Sequence, residues 1–115
     1  MLIQRQFVYL ADLNPRMGTE PGKVRPVAVL QSNLLNPTHP STVVCPLTTK
    51  IVAGVTILRV HLKKGQAGLS QDSDILIDQI RAIDNRRFVK SLGKVPSSIF
   101  EKVLENIFII LDLKI

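Results

Sequence analysis

Seven short runs rich in β-branched and apolar residues, each stopped by turn residues, set the tightest limit on what this chain can fold into. They are Phe7–Leu10, Pro26–Leu30, Thr42–Leu47, Val55–Leu62, Asp74–Ile77, Ile80–Ile83 and a last one marked by Phe88, Val89 and Leu92. Turns rather than helical stretches separate them, so the pattern predicts a small β-barrel and not alternating α/β units. Pro26 and Pro46 fall inside two of the runs. Proline has no amide to give a ladder, so both predict edge strands or bulges.

Beyond Pro96 the period changes. Ile99, Val103, Ile107 and Ile110, flanked by Phe100, Leu104, Phe108 and Leu111, recur every three or four positions. This predicts one helix from about Ser97 to Asp112, opened by a Ser98/Glu101 capping box and lying on the barrel. A chain of 115 residues makes one domain, 1–115, with core enough to need no disulfide or structural metal. The expected fold class is mainly β with a C-terminal helix.

Fifteen Lys and Arg against nine Asp and Glu give a net charge of +6, which favours phosphate-bearing or acidic partners. The hydrophobic share, 45%, exceeds what a small monomer readily hides, and implies a subunit interface. Cys45 is the single cysteine, so no intramolecular disulfide or thiolate zinc site can form. Set in an apolar run, it reads as an inert buried thiol in a reduced, cytoplasmic protein. Met1–Arg5 lacks a signal-peptide pattern, and the run Ile107–Leu111 is far too short for a membrane span. Secretion and membrane insertion are not expected.

Most catalytic patterns are missing. His39 and His61 stand apart without ligand spacing and read as surface or structural histidines. No nucleophile elbow, phosphate-binding glycine loop or dinucleotide fingerprint occurs. Asp72, Asp74 and Asp78 suit turn and edge roles better than a magnesium site, so neither metal nor cofactor is expected. A basic, polar set at strand and loop ends remains. Arg25 precedes Pro26 after the loop Asn14–Lys23, Thr48-Thr49-Lys50 closes an apolar strand, and Asp78-Gln79 interrupts another before Arg81. These residues alone give a basic β-barrel with a C-terminal helix and possible nucleic-acid binding.

Four blocks in order then resemble the MazF/PemK (Kid) family of toxin ribonucleases. They are Val8–Pro15, Gly18–Val27, Val44–Thr48 and Asp72–Asp84, and the likeness runs from Val8 to Leu113. It implies an SH3-like barrel of the CcdB/MazF kind with a C-terminal helix, working as a homodimer. It also implies metal-independent, sequence-selective cleavage of single-stranded RNA to 2′,3′-cyclic phosphate and 5′-hydroxyl ends. An acidic antitoxin would neutralise it, and operator DNA would be met only through the antitoxin complex.

In such a toxin Arg25 and Thr48 occupy the catalytic positions. An always-charged guanidinium and a hydroxyl can both hold the charge that builds on the phosphate oxygens. Arginine is a poor proton acceptor, which leaves Glu20 as the candidate for the 2′-hydroxyl proton. RNA binding would draw on Gly22, Lys23, Ser32, Asn33, Thr49, Lys50, Asp78 and Gln79. The chain departs from many relatives at Gln6-Phe7, where they carry Gly-Asp. Its loops at 33–41 and 63–68 match no general pattern, so the RNA motif does not transfer. Two other readings share the fold: a CcdB-like gyrase poison that leaves RNA intact, and an inactive barrel serving as a repressor partner.

Overall fold

The computed structural model describes residues 1–15, 17–19 and 23–114. All seven expected strands form: β1 Phe7–Asp12, β2 Val24–Val29, β3 Ser41–Thr48, β4 Arg59–Leu62, β5 Ser73–Leu76, β6 Arg81–Asp84 and β7 Phe88–Lys94. One helix follows, α1, Ser97–Leu111. The strands pair antiparallel in the order β4-β5-β3-β2-β1-β7, with β6 also on β3.

Alternation along the central strands sorts their side chains into two cores. Val8, Ala28, Cys45 and Leu47 face one, under α1, where they join Phe100 and Val103. Tyr9, Ala11, Val27, Val29 and Val44 face the other, closed by Ile3 and Ile83. Tyr9 meets Phe88 edge-on there at 5.4 Å. Burial on both faces absorbs part of the apolar excess. The rest stays exposed, notably Ile51, Val52, Val55 and Ile57 in one segment and Phe108, Ile109, Leu111 and Leu113 at the helix end.

The expected barrel is not closed by hydrogen bonds among the described residues: no ladder joins β7 to β4. A 3-10 turn after β4, Gln66–Gly68, packs on β7 instead. The approach is backbone to backbone. A Cβ on Gly68 would run into the Leu92 carbonyl, and one on Gly93 would sit 2.7 Å from the Ala67 carbonyl carbon. Glycines make this seam possible by having no side chain there.

Both prolines lie in interior strands, not at edges, and the register explains why they are tolerated. The β2–β3 ladder starts at Val27↔Pro46, leaving Pro26 just past its end. On its other side β3 pairs β6 over Ser41–Val44 and β5 over Leu47–Thr48, so Pro46 falls at the changeover. Pro46 therefore costs its neighbours no ladder amide, and the one that Pro26 withholds falls at the very end of the β2–β3 pairing.

The capping box does not form. Pro96 occupies the N-cap and no side chain caps the helix, so Ser98 lies inside its first turn. The helix starts at Ser97, two residues earlier than an N-cap at Ser98 would set it. Gln6 holds a left-handed φ of 76°. Its amide donates to the Val29 carbonyl at 2.9 Å, and its Nε2 to Val95 at 2.8 Å, which offsets the strain.

Candidate active site

The missing amide of Pro26 shapes the site. Continuing the β2–β3 register by one residue sets Pro26 opposite Leu47, whose carbonyl then has no ladder donor. The Arg25 guanidinium supplies one, its Nη1 donating to Leu47 O at 3.2 Å. Arg25 is thereby drawn across β2 towards the end of β3, where Thr48 follows Leu47. Thr48 Oγ1 accepts the Lys50 amide at 3.2 Å, which leaves its own proton free to donate outward.

A cleft of about 650 Å³ opens at this point, lined by Asn14, Thr19, residues 23–26 and 47–50, Arg59, Ser73 and Leu76. Among the described residues its charged lining is Lys23, Arg25, Lys50 and Arg59, cations throughout. The entry to β2 is fixed from β1: Asn14 Oδ1 accepts the Lys23 amide at 2.8 Å, and Leu13 donates to Lys23 O at 2.9 Å. Lys23 takes a left-handed φ of 67° in that grip, strain of the kind a rigid surround can hold.

Of the residues the sequence singled out, the cleft collects Lys23, Arg25, Thr48, Thr49 and Lys50. Glu20 and Gly22 lie outside the described residues. Ser32, Asn33, Asp78 and Gln79 are not among its lining. Ser32 Oγ accepts the Leu34 amide, and Asn33 Oδ1 accepts from Arg5 N and Asn36 Nδ2, so both shape their own loop. Asp78 and Gln79 form a 3-10 turn between β5 and β6.

Sequence reasoning missed Arg59, the one arginine in the apolar run Val55–Leu62. It also treated Asp74 as an edge residue. Asp74 is only 2% exposed, and its carboxylate is used on both oxygens. Oδ2 accepts from Arg59 Nη1 at 3.2 Å and from the Val52 amide at 3.4 Å, while Oδ1 meets His61 Nδ1 at 3.1 Å. His61 is therefore structural, as expected.

Cys45, three residues before Thr48, is fully buried. Burial first, and then the charge of Asp78, push its thiol up to about 12, which removes it as a nucleophile. No group of three or more His, Cys, Asp or Glu among the described residues could hold a metal ion. No helix among them is long and apolar enough to cross a membrane.

The description "PemK-like, MazF-like toxin of type II toxin-antitoxin system" fits residues 4–111 of the chain. The chain belongs to that family. Endoribonuclease EndoA of Bacillus subtilis is 35% identical over 113 residues, covering 98% of this chain and 97% of that one. MazF of Deinococcus radiodurans shares the fold at a TM-score of 0.85 and 24% identity, over 98% of this toxin and 99% of that chain. A MazE–MazF structure from the same organism superposes at 0.79 with 23% identity, covering 99% of each chain.

Proposed function

We propose that this toxin is an endoribonuclease that cuts single-stranded RNA at a short sequence, without a metal ion. The observation that carries the reading is the convergence of Arg25 and Thr48 in a cleft whose charged lining, among the described residues, is cationic. In the proposed reaction the ribose 2′-oxygen attacks the adjacent phosphorus and the bond to the 5′-oxygen breaks. A 2′,3′-cyclic phosphate and a 5′-hydroxyl result.

Charge grows on the non-bridging oxygens as the 2′-oxygen bonds. Arg25 holds that charge with its planar fork, and Thr48 donates one more hydrogen bond to the same oxygens. Lys23 and Lys50 hold flanking phosphates, and Thr49 reaches the sugar or base. Glu20 is the residue proposed to take the 2′-hydroxyl proton, with Gly22 allowing RNA near the backbone. Ser32, Asn33, Asp78 and Gln79 would meet only RNA that extends past the cleft.

The exposed apolar segment at 51–58 and the end of α1 support a homodimer. An acidic antitoxin is the proposed inhibitor, a reading the +6 charge and the MazE–MazF relative both support. Operator DNA would be contacted through that complex, and the cytoplasm is the proposed compartment. The gyrase-poison alternative has no support in the family match, and a poison needs neither guanidinium nor hydroxyl at a phosphate-sized site.

The reading is tested by mapping cuts in a long single-stranded RNA and then placing one 2′-deoxynucleotide at the mapped position. Loss of the cut there, with cyclic phosphate at other cut ends, is expected. Cleavage through the deoxynucleotide would contradict the mechanism.

A further inference from the structure

Arg59 sits at the start of β4 and lines the same cleft as Arg25 and Thr48. Nη1 alone carries its contacts to the described residues: it donates to Lys50 O at 2.9 Å and to Asp74 Oδ2 at 3.2 Å. Nε and Nη2 have no acceptor among those residues, so a guanidinium held firmly at one corner keeps the rest of its fork for a ligand. Its side chain is 25% exposed, whereas that of Asp74 is 4% exposed.

Asp74 is well placed to do the holding. On β5 it pairs in register with both Thr48 and His61, between the strand that carries the hydroxyl and the strand that carries Arg59. Its carboxylate gathers Arg59, His61 and the Val52 amide, and Arg59 in turn grips Lys50 O. One buried acid thus fixes the guanidinium and the backbone just beyond Thr48 together. A buried carboxylate so fully engaged gives a rigid anchor, and a rigid anchor reduces the ordering cost when a phosphate binds.

We infer that Arg59 is a phosphate-binding residue of the RNA groove, contacting a phosphate next to the scissile one, and that Asp74 is its positioning residue. This rests on the ribonuclease reading for its substrate, yet it can be judged separately. A contact to a neighbouring phosphate is made equally in ground and transition states, so its loss raises KM and leaves kcat.

The experiment compares wild-type protein, Arg59→Gln, Arg59→Lys, Asp74→Asn and the Arg59→Gln/Asp74→Asn double variant. Cleavage kinetics are read on RNA, and binding by anisotropy on a 2′-O-methyl oligonucleotide that cannot be cut. That oligonucleotide carries the mapped cut sequence, or mixed sequence if RNA stays intact. Arg59→Gln should weaken binding and raise KM about tenfold, with kcat held within about twofold. Its slope of log affinity against log salt should flatten by about 0.7, one single-strand phosphate, while Arg59→Lys keeps the slope. Asp74→Asn should raise KM in the same way, and the double variant should add little to either single one. Should Asp74→Asn fail to fold by circular dichroism, the Arg59 variants still decide the assignment. Unchanged binding and slope in Arg59→Gln, or a loss confined to kcat, would overturn it. Intact RNA together with weakened oligonucleotide binding would keep Arg59 and sink the ribonuclease reading instead.

Discussion

Arg25 Nη1 donates to the Leu47 carbonyl at 3.2 Å, filling an acceptor that the β2–β3 ladder leaves open because Pro26 has no amide. A defect in one strand pair therefore aims the guanidinium at the end of β3, beside Thr48. Pro26→Ala should restore the ladder donor and compete with Arg25 for Leu47 O. We expect stability to stay within about 1 kcal/mol of wild type, since a ladder bond is gained while chain rigidity is lost. RNA cleavage should fall about tenfold or more, the cost of mispositioning a charged donor. Melting curves beside cleavage rates check this, and full activity would show that Arg25 does not depend on the gap.

The seam between the 66–68 turn and β7 predicts a sharp difference between two glycines. Gly65 and Gly68 both have left-handed φ, 92° and 70°, but open space surrounds Gly65 while Leu92 backbone crowds Gly68. Gly65→Ala should cost about 1 kcal/mol, the conformational penalty alone. Gly68→Ala should cost clearly more, about 2 kcal/mol or above, because backbone must move. Thermal denaturation of the pair reads this directly, and equal losses would show that the seam yields easily.

Cys45 gives a prediction in pH. Its thiol stands near 12 in the fold against an ordinary value near 9, raised chiefly by burial. Between those values the unfolded chain releases a proton that the folded chain keeps, so the unfolded state binds fewer protons. Stability should therefore fall as pH rises above about 9, and Cys45→Ala should remove part of that slope. The native thiol should also resist alkylation at pH 8 and react once the chain is unfolded. Rapid labelling of the native protein would contradict the burial.

Exposed Ile51, Val52, Val55 and Ile57, with Phe108 and Ile109 on α1, predict self-association. Sedimentation at micromolar concentration should give a dimer, and Ile109→Glu should weaken it if α1 contributes. A wild-type monomer would leave this apolar surface without the partner proposed here.

Strand positions were legible because period-two alternation and β-branched residues report on pleated, buried surface wherever both faces are covered. The edges of that logic are visible too. The Val55–Leu62 run shortens to Arg59–Leu62, because its first half is an exposed loop, its Leu58 amide donating to Asn106 Oδ1 of α1. Pro26 and Pro46 read locally as edge signals, yet their tolerance comes from where one ladder ends and another changes partner, a property of three strands together. Arg25 and Thr48 were legible through the order of motifs. Arg59 and Asp74 were not, since the contact between them spans 15 residues and exists only once β4 and β5 pair.

The central claim is that Arg25 and Thr48 cleave RNA without a metal. It is tested most directly by incubating the purified protein with long single-stranded RNA in excess EDTA, beside Arg25→Ala and Thr48→Ala. Discrete cuts by the wild type, slowed about a hundredfold or more in each variant, are expected. Intact RNA with folded wild-type protein, or cuts that survive both substitutions, would contradict it.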